Sequence, residues 1–110
     1  MELGTQSKQK FKMLIKIHKT PDRKKMIAIC DSNLIGKKFE EKGLQLDLRG
    51  DFYNGDELPE EEIRKVIKRA YIINAVGEKS VKFLITEKII DKKNIITIKK
   101  IPHAQAMLMV

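Results

Sequence analysis

From position 59 onward, Ile63, Val66, Ile67, Ala70 and Tyr71 recur at helical spacing, so they share one face of a 3.6-residue helix. Glu60, Glu61 and Glu62 stand at its start, and Lys65, Lys68 and Arg69 follow toward its end, the order that the helix dipole favours. Pro59 opens the element, where a missing N–H does no harm. The spacing predicts a helix over 59–73, and its apolar face needs a surface to cover. The flanking segments supply one, because they alternate with period two. Phe11, Met13, Ile15 and Ile17 fall on one side of a strand, with Lys12, Lys16 and His18 opposite. Leu44, Leu46 and Leu48 alternate with Gln45, Asp47 and Arg49 in the same way. This mixture predicts an α+β fold: a curled antiparallel sheet of four to five short strands packed against two helices.

The remaining elements follow from turn chemistry. Thr20-Pro21-Asp22-Arg23 is a turn signal, so 11–18 and 25–30 read as a hairpin, and 25–30 is apolar enough to be central. Asp31 is a natural cap for a turn or a first helical turn. A short strand is expected over 35–39, and Gly43 turns the chain into 44–48. Asn74-Ala75-Val76-Gly77 interrupts the helical pattern before a second helix over 78–89. A last strand over 95–101 is expected to stop at Pro102, leaving His103 and Gln105 outside regular pairing. Residues 1–10 read as a flexible tail and 11–110 as one domain.

Several function classes are narrowed by composition. Cys30 is the one cysteine, so an intramolecular disulfide and a multi-thiolate zinc site are both out of reach. No apolar run approaches the ~20 residues of a membrane span, and no signal-peptide pattern opens the chain, so a soluble cytoplasmic protein is expected. The net charge of +8 is unevenly placed: residues 1–42 carry net +6, 43–62 net −6, and 63–110 net +8. Phosphate-rich partners such as RNA suit the basic segments. Only 4 of the 23 basic residues are Arg, however, and abundant Ile, Lys and Glu is also a thermophile composition.

The residues that can carry chemistry are few. Cys30 and Asp31 end an apolar strand, and a thiol nucleophile there would need a base such as His103. No known thiol-enzyme signature surrounds Cys30, and a free Cys is among the most often buried residues. The two histidines, Cys30 and Asp31 match no compact ligand spacing, so neither a metal nor a cofactor is expected. Gly36-Lys37-Lys38 and Gly77-Glu78-Lys79-Ser80 lack the upstream glycine of a phosphate-binding loop. Gly77 is read either as an anion site at a helix start or as a close-packing, positive-φ position. Phe52 and Tyr53 lie among acids, which favours a plug over the sheet above a stacking platform. His103 and Gln105 read equally as structural caps or as partner contacts.

Cys30-Asp31, Leu34-Ile35-Gly36-Lys37 with Phe39, Phe52-Tyr53-Asn54-Gly55, Asn74-Ala75-Val76-Gly77-Glu78 and Ile101-Pro102-His103-Ala104-Gln105 occur in a specific order and spacing. In these motifs, from about Lys12 to Gln105, the chain resembles an archaeal family known as domain of unknown function 424. The resemblance implies an archaeal protein and assigns no activity. The residues themselves favour a noncatalytic basic module that binds structured RNA, in translation or RNA processing, with Lys37, Lys38, Lys92, Lys93, Lys99 and Lys100 as candidate phosphate contacts. Cys30, Asp31, Tyr53, Asn74, Gly77, His103 and Gln105 are the other candidate functional residues. Two alternatives stay open: a protein–protein adaptor docking through the acidic aromatic segment 47–62, and a small enzyme with Cys30, Asp31 and His103 at one site.

Overall fold

A computed structural model describes residues 12–108. The expected tail at 1–10 therefore lies outside the described residues. The chain forms β1 (Met13–Lys19), β2 (Lys25–Asp31), β3 (Lys38–Glu41), β4 (Leu44–Asp47), β5 (Asp56–Glu57), α1 (Glu60–Ile67), β6 (Ile72–Val76), α2 (Glu78–Thr86), β7 (Ile96–Ile98) and β8 (Ile101–Met107). The fold is α+β. Six strands make one mixed sheet in the order β5-β1-β2-β6-β8-β7, and β3 and β4 form a separate two-stranded ribbon.

The sheet has two differently covered faces. Ile15, Ile27, Ile29, Ile73 and Ala75 point to one of them and pack with Ile63 and Ile67 of α1 and Val81 and Leu84 of α2. Ala28, Cys30 and Val76 point to the other, where Leu46 and Leu48 from the ribbon, Leu34, Tyr53 and Ile98 cover them. The molecule is thus three-layered: helices, sheet, then a ribbon over part of the far face. Arg64 fastens the two helices together, its Nε donating to Glu87 Oε2 at 2.8 Å.

Three expectations need correction. The helix expected over 59–73 ends at Ile67, and Ile72–Val76 is a central strand rather than the end of a helix. A strand buried on both faces shows a continuous apolar run instead of alternation, so Ile72 and Ile73 extend the helical spacing by coincidence. β6 runs parallel to β2, pairing Ile27 with Ile73 and Cys30 with Val76, so the sheet is mixed rather than antiparallel. Pro102 does not end the last strand. Lys99 and Lys100 turn the chain, and β8 carries on through His103 and Gln105, paired to Val76 and Asn74. The proline is tolerated because it sits one residue beyond the last β6 pair, where no ladder acceptor awaits its missing N–H. Its carbonyl still accepts from Gly77 N at 2.9 Å.

Candidate functional site

The sheet's geometry opens a crevice at one of its ends. β2 and β6 are parallel neighbours, so both carboxyl ends finish together. After β2 the chain leaves toward the ribbon face, and after β6 it leaves toward the helix face. Adjacent parallel strands whose continuations diverge this way leave a gap between them, the usual ligand position in open sheets. Here the gap is a cleft of about 580 Å³. Asp31, Asn33 and Leu34 line it from the β2 side, Gly77, Glu78, Lys79 and Lys82 from the β6 side, and Lys100, Ile101 and Pro102 from the β7–β8 turn.

Asp31 anchors this end of the fold. Only 5 % exposed, its carboxylate accepts from Lys79 N at 3.0 Å, Ser80 N at 2.8 Å and Ser80 Oγ at 2.7 Å. It therefore caps α2, a helix that begins 47 residues further along the chain, and its charge faces the positive end of that helix. Gly77 makes the approach possible. Its φ is +110°, and a Cβ there would stand 2.3 Å from Asp31 Cγ. Of the two readings of Gly77, the close-packing one describes the geometry, since the open amides of α2 are already occupied by Asp31.

A second feature lies at the opposite end of the sheet. Ile17, Lys25, Lys65, Val66, Lys68 and Arg69 line a groove of about 420 Å³ between the start of β2 and the end of α1. No carboxylate belongs to that lining, although Glu62 reaches Lys65 at 3.7 Å from outside it. Lys65 stands on the last turn of α1 and Lys68 and Arg69 in the turn that follows it, and all three line the groove. In the sequence they read as partners for the helix dipole rather than as phosphate contacts. Their spacing was the available signal, but Lys25 joins them only through the fold.

The six lysines expected to contact phosphate are scattered. Lys38 is engaged by Glu40 at 3.3 Å, and Lys37 is held in the backbone by its carbonyl accepting from Leu48 N. Lys99 and Lys100 form the β7–β8 turn, Lys99 N donating to Glu41 Oε1 at 2.8 Å while Lys100 lines the cleft. Lys92 and Lys93 lie in a short 3₁₀ turn capped by Asp91, and Lys92 borders a separate hollow near Gln105 and Met107.

The remaining candidates separate in the same way. Cys30 is fully buried under the ribbon, its Sγ contacting the Asp31 carbonyl at 3.3 Å. Burial pushes the thiol pKa up to about 12, with the nearby Asp31 charge adding to the effect. Val76 stands between Cys30 and His103 in the strand order, and Asp31 points to α2, so the fold does not gather these three into one site. His103 is half-buried, and desolvation lowers its pKa below the usual 6.5. Tyr53 is buried in the ribbon-side core, its hydroxyl pKa raised by burial. Phe52 packs edge-on to it and stacks on His18 at 4.5 Å, so the aromatic pair closes the fold over β1. Asn74 and Gln105 face each other across β6 and β8 beside Ala28, Asn74 being 9 % exposed and Gln105 open to solvent. Among the described residues, no group of three or more His, Cys, Asp or Glu side chains is placed to hold a metal ion.

Residues 18–109 match a family model described as "Protein of unknown function (DUF424)". The chain belongs to that family. Four of the five motifs read in the sequence reach one cleft, through Asp31, Leu34, Gly77 and Pro102, and the Phe52–Gly55 motif lies outside it. A crystal structure of an uncharacterized conserved protein from Methanopyrus kandleri is similar, with a TM-score of 0.73, 24 % identity, and coverage of 90 % of this chain and 95 % of that one. At that identity the likeness establishes the shared fold. No protein of curated function matches the chain. No helix among the described residues is long and apolar enough to cross a membrane.

Proposed function

We propose that this domain is a noncatalytic cytoplasmic module that binds structured RNA through its phosphate backbone. The groove carries the reading: Lys25, Lys65, Lys68 and Arg69 line it, and no acid does. Four cations on one rigid element pair form a track that neutralises consecutive phosphates, and Ile17 and Val66 give it an apolar floor. Shape recognition of an A-form helix needs this kind of surface and no base-reading side chains. Cys30, a buried neutral thiol, offers no nucleophile, and in the acidic loop Tyr53 is committed to the core while the exposed Phe52 ring is stacked on His18, so neither alternative gains comparable support.

Neutralising about four phosphates corresponds to a slope of log affinity against log salt of about −3 to −4. Fluorescence-anisotropy titrations of a hairpin RNA at several salt concentrations measure it. Replacing Lys65, Lys68 and Arg69 together by Gln should weaken binding at low salt by at least about tenfold and flatten the slope toward −1. Equal affinity and slope for the triple variant and the parent would refute the assignment of the groove.

A further inference from the structure

We infer that the cleft at the carboxyl ends of β2 and β6 is a separate ligand site that takes a phosphate monoester of nucleotide size. The inference goes beyond the groove reading, since the two features occupy opposite ends of the sheet, roughly 20 Å apart for a seven-residue strand.

The turn between β7 and β8 is unusual. Lys99 and Lys100 join β7 to β8 as a two-residue hairpin loop, with φ of +52° and +66°. A loop with both central residues in the left-handed region is normally Asn-Gly, because a Cβ and a long side chain are disfavoured there. Two lysines occupy it instead. Arg23, Lys42 and Lys88 also take positive φ, so the backbone alone does not mark a site; what singles out this turn is that Lys100 lines the cleft.

The cleft's chemistry then selects the ligand. Lys82 comes from α2 and Lys100 from the turn, so two lysines on different elements line one space, with Lys79 beside them. Two carboxylates also line it, but Asp31 is turned into α2 and engaged by three donors, which leaves Glu78 as the rim acid. The Lys79 and Ser80 amides of α2 are thereby engaged, so an anion here is held chiefly by lysines acting as point charges, a recurrent mode for phosphate. A dianionic monoester suits paired ammonium groups better than a carboxylate does. The volume of about 580 Å³ far exceeds a bare phosphate and falls in the range of small-molecule pockets. Leu34, Ile101 and Pro102 supply an apolar wall for a ring, and Asn33 a polar group for a sugar hydroxyl. The ligand is therefore a nucleoside monophosphate, either free or as the 5′ end of an RNA strand.

Isothermal titration of the protein with adenosine 5′-monophosphate, with adenosine, and with a short RNA bearing either a 5′-phosphate or a 5′-hydroxyl tests this. Binding of the monophosphate with at least tenfold loss for adenosine is expected. Preference for the 5′-phosphorylated over the 5′-hydroxyl RNA would assign the strand end, and equal affinity for the two RNAs the free nucleotide. The turn provides variants that separate folding from function. Lys99→Asn should raise the melting temperature by a few degrees and leave binding intact. Lys100→Asn should also melt at or above the parent temperature while losing at least tenfold in affinity, as should Lys82→Gln with unchanged melting. The triple groove variant should bind the monophosphate as the parent does, so failure of one site is distinguishable from failure of the other. Absence of monophosphate binding to the parent, or undiminished binding to both Lys82→Gln and Lys100→Asn, would overturn the inference.

Discussion

Replacing Asp31 by Ala should be among the most destabilising single changes at a polar position in this fold. The carboxylate accepts from three donors, Lys79 N, Ser80 N and Ser80 Oγ, and both Asp31 and Ser80 are buried. Loss of an N-cap alone costs ~1–2 kcal/mol. Each buried donor left without an acceptor adds ~1–3 kcal/mol, reduced where water enters the space the side chain vacates. Taken together, a loss of about 3–5 kcal/mol is expected, a large share of the ~5–15 kcal/mol that holds a domain of this kind folded. Asp31→Asn should lose less, ~1–2 kcal/mol, because its amide oxygen still serves Ser80 while its NH₂ opposes a donor. Urea unfolding followed by circular dichroism gives both values, with the slope checking that unfolding remains two-state. Native-state hydrogen exchange at the Ser80 amide supplies a local readout, and its protection should collapse in the Ala variant. A midpoint for Asp31→Ala within ~0.5 kcal/mol of the parent would show that α2 does not depend on this cap.

Other substitutions should follow from the same packing. Gly77→Ala should destabilise strongly, through both its positive φ and the 2.3 Å approach to Asp31 Cγ, and a double-mutant cycle with Asp31→Ala should show coupling because the clash disappears with the carboxylate. Ile67→Ala should cost ~2–5 kcal/mol by urea unfolding, since Ile67 is buried between α1 and the sheet. The Cys30 thiol, its pKa raised to about 12, should react with an alkylating reagent only as fast as the ribbon opens, and a rapid rate with an apparent pKa below ~8.5 would contradict its burial. Because His103 has a folded pKa below 6.5, the unfolded chain binds its proton first on acidification. Its contribution to stability is complete above about pH 6.5 and is lost as pH falls toward the folded pKa, so His103→Gln should flatten that part of the stability profile measured by urea midpoints.

The sequence revealed elements whose signal is local. The apolar stripe of α1, the alternation in β4 and the turn between β1 and β2 each depend on neighbours a few residues apart, and the fold contains all three. β6 escaped because a strand covered on both faces does not alternate, and its apolar residues followed directly on a helical run. β8 escaped because Pro102 normally ends pairing, whereas here it pairs with Thr97 of β7 and sits one residue beyond the last β6 pair. The site was legible in its parts and not in its assembly. Asp31 was recognisable as a capping residue, but the helix it caps begins 47 residues later, a distance no local pattern spans. Lys65, Lys68 and Arg69 carried helical spacing that marked a common face, yet the groove exists only because β1 and β2 bring Ile17 and Lys25 beside them. The strained Lys99–Lys100 turn could not be read at all, since Lys-Lys carries no turn signal.

Cross-linking the parent protein to a hairpin RNA and identifying the attached peptides by mass spectrometry tests the central reading most directly. The account predicts adducts concentrated on the end of α1, at Lys65, Lys68 and Arg69, and on Lys25 at the start of β2, all disappearing as salt rises. Adducts spread evenly over the exposed lysines, or gathered on the acidic loop around Phe52, would contradict a phosphate track in the groove.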